Sequence, residues 1–174
     1  QIITNCNCPI PNPVCIPFGF TPLYPMSQYE ISDNCKDRCR CNCNAGRWKR
    51  TPRSHNALDL TIRSTASKSQ QNDYRAGKFS IRSMFDGNAS YYWSETYGNT
   101  VVVNSLDCNG QSFSVRYAHL HKVNLPPNGI VSAGDIIGTV GASGTVTGPH
   151  LHLEFFNSSG KIPPSCFALN SFYP

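Results

Sequence analysis

The chain has five histidines, and each stands in a short pattern that suits a metal: His55, His119, His121, His150 and His152. In His55-Asn56-Ala57-Leu58-Asp59 an imidazole and a carboxylate stand four residues apart, which puts both on one face of a strand or one turn apart on a helix. Either arrangement lets them share a cation, although His-x-x-x-Asp taken alone is common by chance and then reads as a capped turn. In Gly148-Pro149-His150-Leu151-His152-Leu153-Glu154 polar and apolar residues alternate, so both imidazoles leave one side of a strand while the leucines face the core. Histidines so placed are about 7 Å apart at the backbone, close enough for one to coordinate zinc while the other contacts water at the metal. Arg116-Tyr117-Ala118-His119-Leu120-His121 closes another strand and again sets two imidazoles on one face. His119 is the one expected to reach the site, with His121 a solvent-facing strand end. Glu154, two residues beyond His152, is open to two readings, an outer partner that supports a metal ligand or an ordinary strand charge, and the second is the default.

The elements that must hold these residues are strands. From Arg47 onward, short β-branched and aromatic runs alternate with glycine and asparagine, the pattern of a β meander, and helix signals are weak. Strands are predicted over 78–84, 100–104, 112–120, 136–140 and 151–156. Asp107-Cys108-Asn109-Gly110 carries the Asn-Gly pair of a tight hairpin turn, which makes the second and third antiparallel. Residues 64–72 read as a polar loop. The expected fold is mainly β, an antiparallel sheet domain over residues 47–174.

Residues 1–46 differ in kind. Seven of the nine cysteines, at positions 6, 8, 15, 35, 39, 41 and 43, precede Ala45, together with prolines at 9, 11, 13, 17, 22 and 25. So much proline precludes regular helix or central strand, which predicts an irregular, disulfide-rich N-terminal extension laid on the main domain. Cysteine at this density points to disulfides formed outside the reducing cytosol, hence a secreted, extracellular or periplasmic protein. Cys35, Cys39, Cys41 and Cys43 are accordingly read as disulfide partners rather than a zinc knot, since no histidine precedes His55. No apolar run approaches the roughly 20 residues of a membrane span. The net charge of +5 reads as a mildly basic surface, and the basic residues over 47–53 form no nucleic-acid-binding motif.

Four segments, in order and spacing, give the chain a resemblance to the lysostaphin-type (LytM-like) zinc metalloendopeptidases over residues 53–164. They are His55 with Asp59, Tyr117-Ala118-His119-Leu120, Gly134-Asp135-Ile136-Ile137-Gly138-Thr139-Val140-Gly141, and Thr147-Gly148-Pro149-His150-Leu151-His152-Leu153-Glu154. The resemblance implies one Zn²⁺ per chain, with His55, Asp59 and His152 as metal ligands and His119 and His150 as catalytic histidines. It implies hydrolysis of peptide bonds in peptidoglycan cross-bridges or stem peptides, or in glycine-rich proteins, and a monomer is the expected state. Two imidazoles and one carboxylate leave zinc an open fourth position, which marks a catalytic rather than a closed structural site. Ala57 departs from the family's usual glycine, and residues 60–98 are longer and more polar than its usual connection. Competing expectations are a non-catalytic module for cell-wall or protein partners, and a structural zinc or disulfide protein.

Overall fold

A strand whose alternate residues are Val, Leu, Phe and Tyr buries one face and leaves the other for polar groups, and this chain repeats that device around one sheet. The computed structural model describes residues 15–33, 40–42, 47–49, 57–162, 167 and 169–174. In chain order the elements are β1 (Tyr29–Asp33), β2 (Arg40–Asn42), β3 (Arg47–Lys49), β4 (Leu58–Ile62), α1 (Lys68–Arg75), β5 (Ser80–Arg82), β6 (Gly87–Ser94), β7 (Gly98–Leu106), β8 (Ser112–Val123), β9 (Ile130–Val131), β10 (Ile136–Val140), β11 (Leu151–Asn157) and β12 (Gly160–Ile162). Among the described residues, ten strands form a sheet whose main path runs β1-β4-β11-β8-β7-β6-β9. β12 pairs with β11, while β10 joins β8 to β5; β2 and β3 form a separate two-stranded ribbon. The pairings are antiparallel, as expected.

One face of the sheet carries Leu58 and Leu60 of β4, Leu151, Leu153 and Phe155 of β11, Phe113, Val115 and Tyr117 of β8, and Val101 and Val103 of β7, all buried. Tyr29, Ile81, Met84, Phe85 and Ile137 complete the same core. Each such side chain taken out of water contributes about 1.5–3 kcal/mol, so the fold's stability is concentrated on this side. The opposite face is free for chemistry. There the register sets His152 between Asp59 of β4 and Ala118 of β8, and Glu154 beside Arg116.

The predicted strands over 100–104, 112–120, 136–140 and 151–156 fall in β7, β8, β10 and β11, and the β7–β8 hairpin turns at the Asn-Gly pair. Asp107 fixes that turn by accepting hydrogen bonds from the amides of Asn109 and Gln111, each at 2.8 Å. Residues 64–72 are not the expected loop, for the helix α1 starts at Lys68. Its start is a capping box, Ser67 Oγ accepting from the Gln70 amide at 3.2 Å and Gln70 Oε1 from the Ser67 amide at 3.0 Å. Only Tyr74 of this helix is buried, so no apolar stripe announces it in the sequence. Within 1–46, residues 29–33 lie beyond the last of the prolines and form β1, an edge strand paired with β4.

Cys15 and Cys108 form a disulfide that ties the tip of the β7–β8 hairpin to the N-terminal segment. Cys6, Cys8, Cys35, Cys39, Cys43 and Cys166 lie outside the described residues. No helix among the described residues is long and apolar enough to cross a membrane.

Candidate active site

Three imidazoles and one carboxylate converge on the polar face of the sheet. Asp59 and His152 are direct cross-strand partners on β4 and β11, which places Asp59 Oδ1 3.0 Å from His152 Nδ1. His150 sits one strand period earlier, where its backbone bridges to Gly141, and its Nε2 is 3.6 Å from the same carboxylate oxygen. The turn that carries it is braced from α1, whose Tyr74 hydroxyl donates to the Pro149 carbonyl at 2.8 Å. The His119 ring lies 4.8 Å from that of His150 and 5.5 Å from that of His152, centre to centre.

His119 arrives by a different route from the expected one. Strict alternation would put His119 and His121 on one face, but His119 has a φ of 63°, a left-handed conformation that costs a non-glycine residue about 1–2 kcal/mol. The register between β7 and β8 shifts there, and the His119 amide donates to the Tyr97 carbonyl at 2.8 Å. The bulge turns His119 into the site, while His121 is left exposed. The His119 ring is fixed by the Ser143 carbonyl, 2.8 Å from Nδ1. Gly98 lets the Ser143 loop come this close: a Cβ there would fall 2.3 Å from the Ser143 carbonyl carbon, and its φ is 65°.

The hydrogen positions follow from the partners. The carbonyls of Ser143 and Gly148 only accept, so Nδ1 of His119 and of His150 must donate, and each Nε2 keeps its lone pair for the centre. His152 has a carboxylate at each nitrogen, Asp59 at Nδ1 and Glu154 at Nε2, the latter at 2.9 Å. A neutral ring has one N–H, so one of these contacts sets acceptor against acceptor unless positive charge stands between them. Burial works to lower the His152 pKa, but the hydrogen bonds and charges of Asp59 and Glu154 outweigh it and hold the pKa above its ordinary value. Both facts describe a place built for a cation. One ligand atom each from His119, His150 and His152 lie within 4.8 Å of one another, so these three can hold a metal ion. The 3.0 Å contact between Asp59 and His152 lies near the roughly 3.3 Å between neighbouring donors on a tetrahedral zinc. The donor set fits zinc.

His55, the first of the expected ligands, lies outside the described residues. Asp59, His119, His150 and His152 are brought together. Glu154 corrects the reading as a strand charge: it is 2% exposed, and it accepts from the Tyr97 hydroxyl at 2.9 Å, Lys161 Nζ at 3.1 Å and the Arg116 guanidinium. Burial acts to raise its pKa, but His152, Lys161 and Arg116 together hold the carboxyl far below the usual carboxylate range. Tyr97, missed entirely, is pushed up to about 12 by burial and by the Glu154 charge, so it stays a donor.

Desolvation lowers the His119 pKa to about 4, with His150 and His152 adding repulsion and the Ser143 hydrogen bond only partly opposing it. In the metal-free chain its ring should therefore protonate near pH 4 instead of about 6.5. Its folded pKa is depressed, so the unfolded chain binds more protons between those values. The stability due to the neutral ring is complete above about pH 6.5 and is lost as pH falls toward 4. An NMR titration of the chelated chain with a His119 midpoint at or above 6.5 would contradict this.

Residues 68–164 match the model of Peptidase family M23, more than half of the chain, and the chain belongs to this family. The match begins beyond Asp59. Over 57 residues the chain is 44% identical to the peptidoglycan DD-endopeptidase ShyA of Vibrio cholerae serotype O1, covering 33% of this chain and 12% of that protein. Over 76 residues it is 37% identical to the cell division protein DipM of Caulobacter vibrioides, covering 42% of this chain and again 12% of the relative. The matched part of the chain thus spans about an eighth of those relatives' length. Among solved structures, a zinc containing peptidase from Vibrio cholerae is similar with a TM-score of 0.59 at 21% identity, over 91% of this chain and 41% of that one. The catalytic domain of lysostaphin from Staphylococcus simulans has a TM-score of 0.57 at 24% identity, over 84% of this chain and 96% of that one. The fold is lysostaphin-like, one open antiparallel sheet.

Proposed function

We propose that this chain is a secreted zinc endopeptidase that hydrolyses peptide bonds in peptidoglycan cross-bridges or stem peptides. In this reading His55, Asp59 and His152 hold one Zn²⁺ per chain, and His119 and His150 do the proton chemistry. Residues 47–174 form the peptidase domain and residues 1–46 a disulfide-bonded extension. The observation that carries the reading is the convergence of Asp59 with three imidazoles, each anchored through one nitrogen by an acceptor outside the cluster. Family membership and the peptidoglycan endopeptidase relatives support the substrate class.

Zinc held there would supply Lewis acidity, polarising the peptide carbonyl and bringing the pKa of water to about 7. The remaining work falls to this chain's own residues. His119 and His150 both offer an Nε2 lone pair, fixed in direction by the Ser143 and Gly148 carbonyls. Either lone pair can take the proton of the attacking water and return it to the leaving amine. Once protonated, the same N–H donates to the oxyanion of the tetrahedral intermediate. Burial of His119, His152 and Glu154 keeps solvent from the proton relay.

Digestion of purified cell walls, followed by mass spectrometry of released fragments, tests the proposal. Fragments with new peptide termini should appear, and a chelator should abolish them while the circular dichroism of the fold is largely kept. Walls, pentaglycine and casein all left intact would favour the alternative of a non-catalytic wall-binding or protein-binding module. Unfolding on chelation would favour a structural metal instead.

A further inference from the structure

We propose that Glu154 is a positioning residue for the metal centre: its carboxylate holds the hydrogen of His152 on Nε2 and thereby turns the Nδ1 lone pair toward Asp59. The inference rests on the reading of His152 as a zinc ligand. All three site imidazoles are anchored through the nitrogen that faces away from the cluster, but the anchors differ. For His119 and His150 the anchor is a main-chain carbonyl and the anchored atom is Nδ1. For His152 it is the Glu154 side chain, and the anchored atom is Nε2. His152 thus presents the opposite nitrogen to the centre from its two neighbours, and only its orientation depends on a replaceable side chain.

The surroundings of Glu154 are arranged to keep it ionised where it stands. A carboxylate buried alone would cost several kcal/mol and would take up a proton instead. Here the Tyr97 hydroxyl, Lys161 and Arg116 donate to it in addition to His152. Arg116 is itself held over the rings of Tyr97 and Phe156, 4.9 Å from each centre. Tyr97 also accepts the His119 amide through its carbonyl, so the residue that donates to Glu154 braces the His119 bulge as well. A carboxylate on the far N–H of a ligand histidine fixes the tautomer and makes the other nitrogen a stronger donor to metal; removing such a partner typically costs 10–100-fold in metal affinity. A purely structural Glu154–Arg116 ion pair makes a different demand: either partner could then be removed with the same consequence.

The test uses the full chain. Long-range ¹H–¹⁵N spectra of the zinc-loaded protein, labelled with ¹⁵N-histidine, should show His152 with its hydrogen on Nε2, and His119 and His150 with theirs on Nδ1. Competition with a chromophoric chelator should show zinc affinity reduced about 10–100-fold in Glu154→Gln, and within about threefold of the parent in Arg116→Met, which leaves the Glu154–His152 contact in place. Zinc bound with the His152 hydrogen on Nδ1 would overturn this inference alone, and so would equal losses in the two variants. A parent chain that takes up no zinc would remove the metal reading and this inference with it. The spectra of the parent chain decide the matter even where Glu154→Gln fails to fold.

Discussion

His150→Ala is expected to lower kcat by about 10²–10⁴-fold, with zinc content unchanged. The magnitude is that of removing a positioned general acid–base. Unchanged metal follows from the assignment of the ligands to His55, Asp59 and His152, which leaves the His150 Nε2 lone pair for the substrate side. The prediction is sharp because the geometry admits a rival. His119, His150 and His152 can between them hold an ion, and His150 Nε2 stands 3.6 Å from Asp59. If the metal used that set, His150→Ala would lose zinc and activity together. Metal analysis of the purified variant beside its steady-state kinetics separates the two, and loss of zinc would overturn the division of roles. KM should change little, since the ring acts on the reacting atoms and not on the remote parts of a peptide.

Much of this centre was legible because strand periodicity is a rule about faces. The alternation through His150, Leu151, His152 and Leu153 places both imidazoles opposite the core, and the leucines are indeed fully buried. The same alternation, carried two residues further, puts Glu154 on the polar face beside them. What it cannot say is whether that face is wet at Glu154, and burial there is decided by Tyr97, Arg116 and Lys161, which come from the β6–β7 turn, β8 and β12 in that order. His119 shows where the rule itself fails. The left-handed backbone at that residue breaks the period, and the bonds that stabilise it come from Tyr97 and Ser143, both more than twenty residues away. Helix α1 escaped for a related reason: only Tyr74 is buried, so its one local mark was the Ser67 and Gln70 pair. Asp59 was found from its spacing to His55, yet its place in the site comes from lying directly across from His152.

That cross-strand pairing makes Asp59 the residue whose loss should be felt most in metal binding. Asp59→Ala is expected to weaken zinc binding by more than the roughly 10–100-fold typical of an outer partner, and to abolish hydrolysis. The carboxylate is the one anionic ligand of the assigned set, so without it the cation loses its charge compensation as well as a bond. The fold should be nearly indifferent. Leu58 and Leu60, the neighbours of Asp59 along β4, are buried on the opposite face with Leu151 and Leu153, and that packing is untouched. Thermal unfolding of the chelated variant should therefore lie close to that of the chelated parent, while the increase in Tm on adding zinc, present in the parent, should vanish in the variant. An Asp59→Ala chain that binds zinc as tightly as the parent would place the ion on the three histidines instead. A chain destabilised equally with and without chelator would mean that Asp59 serves the sheet and not the metal.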